Sequence, residues 1–131
     1  MDDDFEMAEH LVLGVMAMIA AYERIAKLLL TLPLPISLPA WTVGGADSKV
    51  QVGAIDKVQR LVWEMPLSEE LAQLLKEAVI EWLTLHDLNI LLLHREEELS
   101  HDRPMIVHAI IRASERITQA EVLAGLRMIE E

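Results

Sequence analysis

The chain has no cysteine, few aromatic residues and only five glycines and five prolines, and each shortage removes something. Without cysteine there is no disulfide framework, no thiolate nucleophile and no Cys-type zinc site, and the composition suits a reducing cytoplasm. Three Trp, one Tyr and one Phe leave few platforms for stacking single-stranded bases, so the core must be aliphatic. Positive charge is scarce as well: 11 Lys and Arg stand against 22 Asp and Glu, a formal charge of −11. Clustered basic side chains supply the affinity for nucleic-acid phosphates, so generic nucleic-acid binding is not expected. The most apolar stretch, Leu11 to Ala21, has about half the length a bilayer span needs, and Glu23, Arg24 and Lys27 interrupt its extension. The acidic start Met1-Asp2-Asp3-Asp4 lacks the positive charge of an export signal. A cytoplasmic protein without membrane contact is the expectation.

What is present is apolar residues at helical spacing. With 131 residues, 53% of them hydrophobic, the chain is read as one helical domain over 1–131, with a disordered acidic start at 1–4. A domain of this size buries roughly two-thirds of its unfolded surface and needs no metal or disulfide staple. From Phe5 to Leu32 there is no proline, one glycine (Gly14), and a stripe Ala8, Leu11, Val12, Val15, Ile19, Tyr22, Ala26, Leu29, which predicts a long first helix. Leu13, Met16, Met18, Ile25, Leu28 and Leu30 lie off that stripe, so the helix either faces a partner chain or is wrapped by its own. Pro33, Pro35 and Pro39 end it, and a long loop with Gly44-Gly45 runs over about 33–53. Ile55, Val58, Val62 and Met65 mark a short second helix before Pro66.

Ser68 followed by Glu69 and Glu70 predicts the start of a long third helix, with a hydroxyl cap and acids where the helix dipole favours them. Its stripe Leu71, Leu75, Ala78, Trp82, Leu85, Asn89, Leu92 is the most regular in the sequence and contains one polar residue, Asn89. A buried asparagine there sets a register, meets a local partner or belongs to a site. The β-branched content of Met105 to Ile111 predicts a strand pairing with Glu96 to Ser100 across the turn His101-Asp102-Arg103-Pro104, a small β-hairpin near 96–111. Thr118-Gln119-Ala120-Glu121 has the form of a capping box, with Ile117 and Val122 as its hydrophobic staple, so a last short helix is expected to begin near Gln119. The fold class is mainly α: a bundle with a long N-terminal helix and a long third helix.

Five histidines, at 10, 86, 94, 101 and 108, are the titratable candidates near neutral pH. No His-Glu-x-x-His spacing, phosphate-binding glycine loop or Gly-x-Ser-x-Gly turn occurs, so no metal, cofactor or activated serine is expected. The stretch Leu85-His86-Asp87-Leu88-Asn89-Ile90-Leu91-Leu92-Leu93-His94-Arg95 closes a long helix. It follows an apolar first helix with an acidic lead-in, the segment Asp56-Lys57-Val58, and Leu67-Ser68-Glu69-Glu70-Leu71. In this layout, over roughly 5–129, the chain resembles the HEPN family of small all-helical domains.

The resemblance implies a homodimer in which Arg and His of both subunits face one groove, and, in active members, metal-independent RNA cleavage. There His would move a proton and Arg would stabilise the phosphorane charge. His94 and Asn89 match the motif. Leu88 and Asn89 stand where the arginine belongs, so the resemblance implies a catalytically degenerate member. Arg103 and His108 have the right gap and form an alternative pair. The expected function is therefore a dimerising helical domain that binds a protein or small ligand. The alternatives are a metal-independent ribonuclease, with RNA as partner, and an acidic inhibitor-like module whose negative face attracts a basic protein.

Overall fold

A computed structural model of the chain describes residues 8–32, 38–41 and 49–125. The acidic start and the Gly44-Gly45 part of the expected loop lie outside the described residues. Four α-helices follow in order: α1 over Glu9–Thr31, α2 over Lys49–Leu61, α3 over Glu69–Leu93 and α4 over Asp102–Leu123, with a short 3-10 turn over Val62–Glu64 after α2. The mainly helical bundle with long first and third helices is thus observed. Among the described residues there is no strand.

α3 is the hub. Every residue of its sequence-predicted stripe, Leu71 through Leu92 and including Asn89, is buried. Ser68 caps it as expected, its hydroxyl accepting from the Leu71 amide at 3.2 Å. α1 and α4 both run antiparallel to α3 and therefore parallel to each other. Trp82 of α3 donates from Nε1 to the Met18 carbonyl of α1 at 2.9 Å, and Arg112 and Arg116 of α4 reach Glu81 and Glu77 of α3. α1 is bolted to α4 by Arg24, which donates to Ser114, Thr118 and both carboxylate oxygens of Glu121 at 2.5–3.3 Å. Of the other α-helices α2 packs on α3, burying Ile55 and Val58, with Val62 just beyond, and its Gln51 donates to the Ala40 carbonyl at 3.3 Å.

Beside α2 the core is aromatic. Trp82 is fully buried, Tyr22 and Trp41 meet its ring, and the Tyr22 hydroxyl donates to the Pro39 carbonyl at 2.5 Å. Trp41 is an anchor of its loop on the core, packed edge-on to Tyr22 with centroids 5.2 Å apart.

Four expectations need correction. The hairpin near 96–111 does not form, because residues 102–123 are one helix. Ile106, Ala109, Ala113, Ile117 and Ala120 repeat at helical spacing and are buried, and the three alanines let α4 pack closely on α3. Pro104 is tolerated because the amides of a helix's first turn have no intrahelical acceptor to lose. For the same reason no new helix starts at Gln119: the Thr118 hydroxyl sits inside α4 and accepts from Arg24. α2 begins at Lys49, so the loop expected to run to 53 is shorter at its end.

The buried face of α1 is also displaced in part from the predicted stripe. Tyr22 and Leu29 are buried as expected, but the face runs through His10, Gly14, Met18, Ala21, Ile25 and Leu28, while Val12 is exposed. With apolar residues all round the helix, hydropathy could not choose the face. The small residues Gly14 and Ala21, which allow close approach, mark it.

Candidate functional site

The antiparallel packing collects the histidines. The head of α1, the C-terminal half of α3, the 94–101 connection and the head of α4 form one end of the bundle, opposite α2, and all five histidines belong to it. Four of the five were close in sequence. His10 joins them only through the fold.

His94 terminates α3 and is exposed, its Nδ1 2.9 Å from the Ile90 carbonyl. A carbonyl only accepts, so Nδ1 carries the proton there. This is the placement favoured for an imidazole at a helix C-terminus. Asn89 is buried, 3% exposed, and points into the bundle. Its Nδ2 donates to the Gly14 carbonyl at 3.0 Å, while Oδ1 has no partner among the described protein groups. A Cβ on Gly14 would lie 2.2 Å from that oxygen. Asn89 and Gly14 thus fix the register of α3 on α1, and the two motif residues do not share a site: Asn89 faces the core and His94 caps the outside.

The alternative pair does not converge either. Arg103 and His108 are both exposed on α4, five residues and therefore about 140° apart around the helix. Arg103 turns instead toward α1, 3.8 Å from Glu9.

The group that does assemble here was missed in the sequence. Asp102, 2% exposed at the first turn of α4, pairs with Arg95 and accepts from the Leu99 amide at 3.0 Å. That amide, then Arg95 and the nearby His101 and His10, hold the Asp102 carboxyl below the ordinary carboxylate value against the opposing effect of burial. The staple folds the 94–101 connection back on itself and sets Glu98 against α1. There His10, 5% exposed, meets Glu98 with Nδ1 to Oε1 at 3.0 Å. No spacing rule signals a contact between positions 10 and 98. Asp102 carried one hint, an acid in a turn just before Arg103-Pro104.

On α3, His86 donates from Nδ1 to Asp87 at 3.1 Å and stacks on Trp82 at 5.6 Å between centroids. Among the described residues no three His, Asp or Glu side chains are grouped to hold a metal ion, and no helix is long and apolar enough to cross a membrane.

The surface of this end is apolar where the helices turn outward. Val12, Leu13 and Met16 of α1, and Ile90, Leu91 and Leu93 of α3, are all exposed, Met16 to 65%. Compared with protein-family models, curated proteins and solved structures, the chain finds no match in any of the three.

Proposed function

We propose that this chain is a HEPN-like helical domain without the family's catalytic arginine, working in the cytoplasm as a homodimer that binds a protein or small ligand. The observation that carries this reading is the exposed aliphatic surface of α1 and α3 at the histidine-bearing end, where Val12, Leu13, Met16, Ile90, Leu91 and Leu93 face water. Exposed aliphatic side chains on the outward row of a helix in a small protein are material for an association site. The commitments of Asn89 to Gly14 and of His94 to Ile90 support a structural use of the motif residues.

A second copy suits the surface. The outward row of α1 runs from Glu9 through Val12 and Met16 to Lys27, and both charged ends are exposed. Glu9 and Lys27 are 27 − 9 = 18 residues apart, about 27 Å along a helix. A two-fold axis crossing α1 antiparallel near Met18 would bring each chain's Glu9 to the other's Lys27, with Val12, Met16, Ala20 and Glu23 in the row between them.

Light scattering on the eluting protein tests this. The wild type elutes with the mass of two chains, and the double variant Val12→Glu, Met16→Glu, altered only at exposed positions of the α1 row, elutes with the mass of one. A wild type of single-chain mass retires the dimer. Cleavage of a labelled structured RNA in EDTA, lost in His94→Ala or His108→Ala, establishes the ribonuclease instead.

A further inference from the structure

Glu9 and His10 at the head of α1, Glu98, Leu99 and Ser100 of the connection, and Arg103 at the head of α4 line a cavity of about 340 Å³. Its volume lies within the range of small-molecule sites, which begins near roughly 300 Å³. We propose that this cavity binds a free α-amino acid with an aliphatic side chain, its carboxylate on Arg103, its ammonium between Glu9 and Glu98, and its side chain against Leu99. The proposal deepens the ligand-binding half of the proposed function and shares Glu9 with the proposed dimer contact.

Charge selects the ligand class. One guanidinium and two carboxylates face the cavity, so a phosphate dianion meets more repulsion than attraction, and a simple diamine leaves Arg103 without an anion. A zwitterion satisfies both signs. The Arg103 to Glu9 contact, 3.8 Å with both side chains more than half exposed, is far looser than the roughly 2.7–2.9 Å of a charge-assisted hydrogen bond, so the guanidinium is open to a bidentate carboxylate. Glu98 has room for an ammonium beside His10, because a carboxylate offers about four acceptor positions.

Part of the lining is held in place before any ligand arrives, while the Glu9, Glu98 and Arg103 side chains stay mostly exposed. His10 is buried and clamped to Glu98, and the buried Asp102, bonded to Arg95 and the Leu99 amide, fixes the segment that carries Glu98, Leu99 and Ser100. Preorganised polar groups lower the ordering cost of binding. Ser100 adds a hydroxyl that donates or accepts.

Thermal-shift and calorimetric titrations of the full chain with L-leucine, N-acetyl-L-leucine and L-leucinamide test the proposal. L-leucine binds saturably, and the two derivatives, each lacking one charge, bind about tenfold more weakly or less, as expected for the loss of a charged hydrogen bond. Arg103→Gln, at an exposed position, loses L-leucine binding while Arg60→Gln on α2 keeps it. No saturable binding of L-leucine up to tens of millimolar overturns the proposal, as does equal binding of the blocked derivatives or indifference to Arg103→Gln. The mass of each sample, measured in the same buffer, separates this failure from failure of the dimer.

Discussion

The middle of the bundle and its histidine end solve burial differently. In the middle, Trp82, Tyr22 and Trp41 fill the interior, with Trp82 Nε1 and the Tyr22 hydroxyl donating to the backbone carbonyls of Met18 and Pro39, and Arg24 locks α1 to the second half of α4. At the histidine end the interior holds His10, Asn89 and Asp102. A fold stabilised only by burial would place apolar side chains there, since each buried unpaired polar atom costs about 1–3 kcal/mol. Asn89 Oδ1 is one such atom, and Gln51 Oε1 on α2 is another. The aromatic middle is organised for stability, and at the histidine end the cost goes with specificity of register and binding.

The sharpest break of this comparison is Trp82→Ala. It empties the largest buried side chain and removes its hydrogen bond to the Met18 carbonyl, so it is expected to cost about 4 kcal/mol in denaturant unfolding. A loss under about 1 kcal/mol would mean that the aromatic middle is not the stable part.

Asp102→Asn probes the histidine end and has a pH signature. The Asp102 carboxyl titrates below its unfolded value in the folded chain, so the charged form stabilises the fold at neutral pH, and that contribution disappears as the pH falls through the lowered value. Wild type is therefore more stable than Asp102→Asn at pH 7. The gap narrows on acidification, and the curves meet only once Asp102 itself is protonated. A gap that is constant with pH would assign the effect to shape alone.

How much of this was legible before the structure differs by element. α3 was readable as a helix with its core stripe, because Ser68 supplies a cap and Leu71 through Leu92 repeat regularly, while Ala72, Val79 and His86 are buried beside that stripe. α1 was legible as a helix and not in orientation, since Val12, Val15 and Ile19 compete with Met18, Ala21 and Ile25 on equal terms. Residues 105–111 carry β-branched side chains that suit a strand locally, and the tertiary demand of burying Ile106, Ala109 and Ala113 on α3 overrode that preference. At the candidate site, Asn89 was visible as the polar break in an apolar row. The His10 to Glu98 contact and the Asp102 to Arg95 staple were not, because both depend on how α1 and α4 meet the end of α3.

The smallest effects give the finest contrast, because one substitution made in α2 and in α1 should change sign. In α2, Gly53→Ala adds a methyl that meets nothing within 4 Å, so only the helix propensity speaks, and the variant gains about 1 kcal/mol. In α1, Gly14→Ala has the same propensity gain, but its methyl would sit 2.2 Å from Asn89 Oδ1 and 3.2 Å from the Ile106 side chain. Overpacking of that kind costs roughly 1–3 kcal/mol, and here the neighbour that must yield is a buried carboxamide bonded to the Gly14 carbonyl itself. Gly14→Ala is therefore expected to be destabilising by about 1 kcal/mol net. Adding Asn89→Ser removes the clashing oxygen, so the two changes together should cost less than their sum. Additive costs in that double-mutant cycle would show that α1 does not approach α3 through this pair, and the register role of Asn89 would fall with it.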